Sequence, residues 1–210
     1  MSQDFAGQLV VVTGGTRGIG QGISKKFLEC GATVIATYRS NQLSAENFKS
    51  ALENEGHEKL IIRQVDVDDS TSVTNFFHYL TETHGSFQVL INNAGIRKDN
   101  VGALMTDDDF DSVIRTNLRG SFLMSRESIK VFMGNRYGRI VNISSVGGRL
   151  SLPGQCNYAA TKAGVLAMSG SLSKEVAKKG ITINSVAPGF IDTDFFDDIP
   201  ADQIKDYKKT

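Results

Sequence analysis

Gln8-Leu9-Val10-Val11-Val12-Thr13-Gly14-Gly15-Thr16-Arg17-Gly18-Ile19-Gly20 decides the fold. Its first five residues are a short, largely β-branched apolar run, which reads as a strand buried on both faces of a parallel sheet. The glycine-rich turn follows at once, and a helical pattern then continues through Ile23, Phe27 and Leu28. Glycines between a strand and a helix let the backbone approach a pyrophosphate, and the helix start offers N–H groups and a positive dipole end. The spacing is T-G-x-x-x-G-x-G rather than G-x-G-x-x-G, so a tight turn without a ligand is the alternative reading of this stretch alone.

Outward from this unit, strands and helices alternate. Thr33–Thr37, Leu60–Ile62, Val89–Ile91, Arg139–Ile143 and Ile181–Val186 read as further strands. Helices are expected at Ser44–Asn54, from an N-cap at Ser70 through Val73, Phe76, Phe77 and Leu80, from Thr106 to Met133 with a break near Gly120, and over Tyr158–Lys178. This cadence predicts βαβ units with right-handed crossovers: an α/β, doubly wound parallel sheet of Rossmann type, a three-layer sandwich in a single domain over residues 1–210. The prolines Pro153, Pro188 and Pro200 all fall in expected loops.

Composition narrows the function classes. With 210 residues, 40% of them hydrophobic, the chain is long enough to bury one large core. The 23 basic and 23 acidic residues balance, so no overall field recruits nucleic acid or a membrane surface. No apolar run reaches the ~18–20 residues of a membrane span. Cys30 and Cys156 lack metal-ligand spacing and are too few for a disulfide framework, and the polar start Met1-Ser2-Gln3-Asp4 lacks signal-peptide character. The expectation is a cytoplasmic protein without a metal site. The run Asp107-Asp108-Asp109 after Thr106 reads as acidic charge at a helix start, and His57, His78 and His84 lie away from the strand ends.

Tyr158 and Lys162 are four residues apart, so on a helix they share a face. A phenol titrates near ~10. A neighbouring ammonium favours the phenolate and would bring that value toward neutrality, as acid/base work requires. Taken alone, the pair could equally be a solvated surface contact. The strand ends argue otherwise, because ligands of such sheets sit beyond the carboxyl ends of the strands. Gly14 to Gly20, Arg39, Asp66-Val67, Asn92-Asn93-Ala94-Gly95, Ser144-Ser145 and Pro188-Gly189 follow six successive strands.

These motifs together, with Asn117, the Tyr158-Ala159-Ala160-Thr161-Lys162 stretch and Pro188-Gly189-Phe190-Ile191-Asp192-Thr193-Asp194, resemble the short-chain dehydrogenase/reductases from about Gly7 to Asp194. Within that family the chain looks most like the branch that reduces 3-oxoacyl groups carried on acyl carrier protein. The resemblance implies a catalytic set of Asn117, Ser145, Tyr158 and Lys162. It implies a cofactor loop of Gly14, Thr16, Arg17, Gly18, Ile19 and Gly20, with Asp66 and Val67 at the adenine. Asn93, Ala94 and Gly95 would line the adenosine, and Pro188, Gly189 and Ile191 would meet the nicotinamide. Ser145, thirteen residues before Tyr158, fits the family spacing, which leaves Ser144 as a packed strand-end hydroxyl. Lys162 would also hold the nicotinamide ribose, and Asn117 a water that re-protonates the tyrosine.

NADP(H) is expected over NAD(H). The second strand ends Ala36-Thr37-Tyr38-Arg39-Ser40, with no acid before Glu46 to take a ribose 2′-hydroxyl, whereas Arg39 and Arg17 suit a 2′-phosphate. Reduction of another small ketone, sugar or polyketide intermediate, or a non-catalytic NADP-binding role, are the alternatives. The resemblance also implies a homo-dimer or homo-tetramer paired through the two long helices, with Phe122, Met124, Val165, Leu166 and Met168 as the surplus apolar residues. Arg136 and Lys179 are expected to dock an acidic carrier beside the site, with Lys178 nearby. Phe195-Phe196 and Asp197-Asp198 would cover the substrate. The family's usual last helix and strand are not found before Thr210.

Overall fold

The computed structural model describes residues 3–150 and 152–193. Six parallel strands form one sheet in the order β3-β2-β1-β4-β5-β6. They are β1 (Leu9–Val12), β2 (Thr33–Tyr38), β3 (Leu60–Gln64), β4 (Val89–Asn92), β5 (Gly138–Ile143) and β6 (Ile181–Val186). This is the expected doubly wound Rossmann-type sheet, and the direction of winding reverses between β1 and β4. The Phe195-Phe196 and Asp197-Asp198 positions, Asp194, Pro200 and the question of a last helix and strand lie outside the described residues.

Alternation along the strands splits the core in two. Val11, Leu90, Ile140 and Ile181 face α3 (Ser70–His84), α5 (Gly120–Asn135) and α7 (Cys156–Val176), through Phe77, Leu80, Met124, Phe132 and Val176. Val10, Val12, Val34 and Ile91 face α1 (Gly18–Glu29) and α2 (Gln42–Asn54), through Leu28, Phe48 and Leu52. Both faces of β1 and β4 are therefore buried, which is why their sequences are continuous apolar runs and not alternating ones. Among the described residues, no helix is long and apolar enough to cross a membrane.

Several boundaries differ from the sequence reading. Asp69, not Ser70, caps α3, its carboxylate accepting from Thr71 N at 2.8 Å. Asn41 caps α2 by accepting from Ser44 N at 3.0 Å, so that helix starts at Gln42. The long helical stretch begins as α4 (Asp107–Val113), capped by Thr106, and passes through a π-helical segment, Ile114–Arg119, before α5. The break near Gly120 is thus one wide turn inside a continuous helical rod. An unexpected short helix α6 (Gly147–Leu150) precedes α7, and a 3-10 turn, Ala177–Lys179, follows it. Met124 and Val165 are wholly buried within this chain, so they are core residues and not part of an outer face. Phe122, 38% exposed, does face outward.

Gly20 fixes how closely α1 approaches β1. A Cβ there would strike the Gly14 carbonyl and the Asn93 amide, leaving no room for any side chain. Gly22, two residues on, is exposed with nothing within 4 Å of the same position. Gly20→Ala should lower the unfolding free energy by roughly 3 kcal/mol through overpacking against backbone. Gly22→Ala should raise it by about 0.5–1 kcal/mol, as alanine does in a helix interior. Urea titration of both variants checks this, and equal effects would contradict the packing described.

Candidate active site

A cavity of about 690 Å³ opens at the carboxyl edge of the sheet over the β1–β4 switch point. Its floor is a hydrogen-bonded clamp between the two loops that diverge there. Thr13 Oγ1 donates to Ile91 O at 3.3 Å and accepts from the backbone N–H groups of Asn93 and Ala94, both at 3.0 Å. Asn93 Nδ2 returns two bonds, to Thr13 O and Gly14 O, each at 3.0 Å. Gly14 takes a left-handed φ of +59°, the conformation glycine adopts without strain. The backbone N–H of Gly15 donates to Thr37 O at 3.0 Å, tying the turn to β2 as well.

These features fit a dinucleotide pyrophosphate. α1 starts at Gly18, and its N-cap residue Arg17 makes no side-chain capping bond, so the first turn keeps N–H groups for an anion. Gly14, Thr16, Arg17, Gly18 and Ile19 line the cavity, as do Asp66, Val67, Asn93, Ala94 and Gly95. Gly20 does not; it acts beneath the loop through packing. Arg39 and Arg17 are both exposed at the rim. Arg39 Nε lies 3.0 Å from Asp66 Oδ2, an ion pair that sequence spacing did not suggest. Thr116, also unforeseen, lines the cavity with a buried hydroxyl that has no hydrogen-bond partner among the described residues. The only sequence signal for it was its place directly before Asn117.

At the other end of the cavity stand Ser145, Tyr158, Lys162, Pro188 and Gly189. Ile191 is 45% exposed and does not line the cavity. Asn157, wholly buried, sets the start of α7: its Oδ1 accepts from Tyr158 N at 2.7 Å and its Nδ2 donates to Lys98 O at 2.8 Å. Ser144 Oγ donates to Lys162 O at 2.8 Å, the packed strand-end role expected of it. Ser145 bonds the Tyr158 phenol and accepts from Gly147 N at 3.1 Å. Asn117 comes from the π-helical segment, a wide turn of the kind often found at functional sites. Its Oδ1 accepts from Ile96 N at 2.8 Å, and its Nδ2 donates to Ile96 O at 2.9 Å and Thr161 Oγ1 at 3.3 Å. The expectation that this side chain holds a water meets a group already engaged in fixing the loop after β4.

Electrostatics overturn one expectation. Burial pushes the Tyr158 phenol above its ordinary value, outweighing the Ser145 hydrogen bond and the Arg97 charge, which act downward. Lys162 Nζ sits 5.5 Å from the phenol ring centre and donates to Ile143 O at 2.8 Å. Burial draws Lys162 itself down to about 8, because a desolvated ammonium is costly. The tyrosine is thus held as a protonated acid.

Arg136 and Lys179 do not line this cavity. Arg136 lies two residues before β5 and Lys179 two residues before β6, strands paired in parallel through Gly138 and Ile181. Both residues therefore sit at the amino edge of the sheet, a strand length of about 17–20 Å from the cavity. His57, His78 and His84 are likewise remote from it.

Comparison with known proteins agrees with this geometry. The sequence model of a family described as short chain dehydrogenase matches residues 8–204. The 3-oxoacyl-[acyl-carrier-protein] reductase FabG of Salmonella typhimurium strain LT2 is 40% identical over 199 residues, spanning 95% of this chain and 80% of that protein. FabG of Haemophilus influenzae is 41% identical over 188 residues, 90% of this chain and 76% of that one. FabG of Escherichia coli K12 is 38% identical over 200 residues, 95% and 80% respectively.

The Lys162 environment has a consequence for stability. Between about 8 and the ordinary 10.5, the unfolded chain binds a proton that the folded chain has released. Stability contributed by this group therefore rises with pH across that window. Relative to Lys162→Met, the wild type should gain up to roughly 3 kcal/mol from pH 8 to 10.5 in urea titrations. A flat difference would contradict burial of the ammonium.

Proposed function

The chain belongs to the short-chain dehydrogenase family, and on that premise we propose that it is an NADPH-dependent reductase of 3-oxoacyl thioesters carried on acyl carrier protein. Membership makes it an oxidoreductase; the carrier-bound substrate and the choice of NADPH are the proposed part. One observation carries the reading. A single cavity joins an uncapped helix start at Gly18, suited to a pyrophosphate, to a buried corner where Ser145, Tyr158 and Lys162 converge.

When bound, the reduced nicotinamide supplies a hydride to the carbonyl carbon. The protein's task is to meet the charge that builds on the carbonyl oxygen. Ser145 and the Tyr158 hydroxyl are the donors assigned to that oxygen, in a site where low dielectric strengthens each hydrogen bond. Burial keeps the Tyr158 proton in place at neutral pH, so it is present to be transferred as the oxygen becomes basic. Lys162 is assigned the ribose hydroxyls and, once charged, the stabilisation of the phenolate left behind. Asn117 is a positioning residue that holds Ile96 by both of its backbone groups. At the adenosine end, Arg17 and Arg39 are assigned the 2′-phosphate and Asp66 the adenine.

The FabG proteins named above support the substrate class by their names, and the missing acid after β2 supports NADPH. A neutral-pH assay of NADPH consumption with acetoacetyl-coenzyme A tests the reaction. Turnover is expected, and Tyr158→Phe should lower kcat by about 10²–10⁴-fold, the usual contribution of a positioned acid. No wild-type turnover would remove the reading. Cofactor choice has its own test in Arg39→Ala, which should raise KM for NADPH at least about tenfold while hardly changing KM for NADH, as loss of one charge-assisted contact implies. Equal effects on both cofactors would count against the 2′-phosphate assignment.

A further inference from the structure

The loop after β4 carries a charged pair that the reaction as described does not use. The Arg97 side chain is only 5% exposed and lines the same cavity as Ser145 and Tyr158. Its Nη1 lies 2.5 Å from Asp99 Oδ2, and Gln155 Nε2 donates to that same oxygen at 2.8 Å. Gln155 is itself buried and stands three residues before Tyr158 at the start of α7. A Cβ on Gly147 would lie 3.7 Å from both Gln155 Oε1 and the Tyr158 ring, and 3.4 Å from Ser145 Oγ. Arg97 therefore lines the catalytic corner, held by Asp99, which Gln155 fixes in turn. The guanidinium is close enough for its charge to act on the phenol, with Asp99 acting in the opposite sense. The neighbouring Lys98 turns away, its Nζ 2.9 Å from Asp109 on α4.

A partly exposed ion pair is weak as a stabilising device, since solvent screens much of the attraction. Its value here lies in what it presents to the cavity. An arginine offers a planar array of five N–H donors, so one guanidinium serves several acceptors at once. A 3-oxoacyl thioester has two carbonyl oxygens, and Ser145 with Tyr158 accounts for only the one that is reduced.

We propose that Arg97 is a specificity-determining residue: oriented by Asp99 and Gln155, it binds the second oxygen of a 1,3-dicarbonyl substrate whose other carbonyl meets Ser145 and Tyr158. Asp99 offsets the guanidinium charge, so the oxygen selected is that of a thioester or ester. The carboxylate of a free 3-oxo acid would meet the Asp99 charge behind the guanidinium and be disfavoured. This inference rests on the carbonyl-reductase reading and adds a residue that chooses the substrate class.

The experiment compares kcat/KM for three substrates: acetoacetyl-N-acetylcysteamine, a monoketone such as cyclohexanone, and acetoacetate. Arg97→Met is combined with Asp99→Asn, so that no carboxylate beside the cavity loses its partner. This variant should cut the thioester-to-monoketone ratio by about 10–100-fold, the effect of removing one charged donor. Arg97→Lys should fall between it and the wild type. Asp99→Asn alone should raise the acetoacetate-to-thioester ratio by roughly tenfold, because the guanidinium then accepts a carboxylate uncompensated. NADPH titration by fluorescence reports whether each variant is folded. If the double variant does not bind NADPH, the ratio in Arg97→Lys decides. Unchanged ratios in a folded variant with an active wild type would overturn the role of Arg97 and leave the reductase reading intact. A wild type inactive on the thioester would instead remove the parent reading.

Discussion

The Thr13 hydroxyl stands where the sheet's winding reverses, and everything in the cavity is referred to it. It bonds to Ile91 on the neighbouring strand and receives the N–H groups of Asn93 and Ala94. Two loops that would otherwise splay from β1 and β4 are thus locked at a fixed separation. Asn93 completes the lock by gripping the carbonyls of Thr13 and Gly14. These groups are largely withdrawn from water, so leaving any of them unpaired costs about 1–3 kcal/mol. The glycine turn owes its shape to this constraint as much as to its own flexibility. The anion-binding start of α1 and the adenosine side of the cleft are set together.

A second polar network does the same for the catalytic corner. Asn92 on β4 donates to Asn142 on β5 at 2.7 Å and to Ser125 on α5 at 2.9 Å. Asn142 donates to Ser169 on α7 at 2.8 Å, and Ser185 on β6 donates to the same hydroxyl at 2.8 Å. Helix α7 is therefore seated on the sheet by hydrogen bonds as well as by apolar packing. Such bonds specify one orientation, whereas an apolar face tolerates small shifts. That orientation delivers Tyr158 and Lys162 to the cavity. Close burial there has a price in solvation, visible in both side chains: the phenol is harder to ionise and the ammonium harder to keep charged.

Much of this was legible in the sequence because local rules and tertiary demand agree. The Leu9–Val12 run followed by glycines is a strand and turn on any reading, and the alternation after it leaves few topologies. The residues beyond six strand ends converge because chain direction is the same in every parallel strand. The same rule, applied to Arg136 and Lys179, would have placed them at the opposite edge, since they precede their strands. Other errors have physical causes. Asp69 and Ser70 are both capping residues, and only geometry decides between them. The wide turn at Ile114–Arg119 changes no hydrophobic period strongly enough to be read. The net direction of the Tyr158 shift is set by burial, which the i, i+4 proximity in the sequence does not reveal. Arg97 looks like an ordinary loop arginine until Asp99 and Gln155 are seen to close around it.

The Thr13 clamp pre-forms the cleft, and Thr13→Val tests this with almost no change in side-chain shape. The measurement is NADPH affinity by fluorescence titration, beside a far-ultraviolet circular dichroism spectrum. With two backbone N–H groups left without an acceptor and the loops released, affinity should fall by at least roughly tenfold while the spectrum keeps its α/β form. A folded Thr13→Val protein that binds NADPH as tightly as the wild type would contradict the claim.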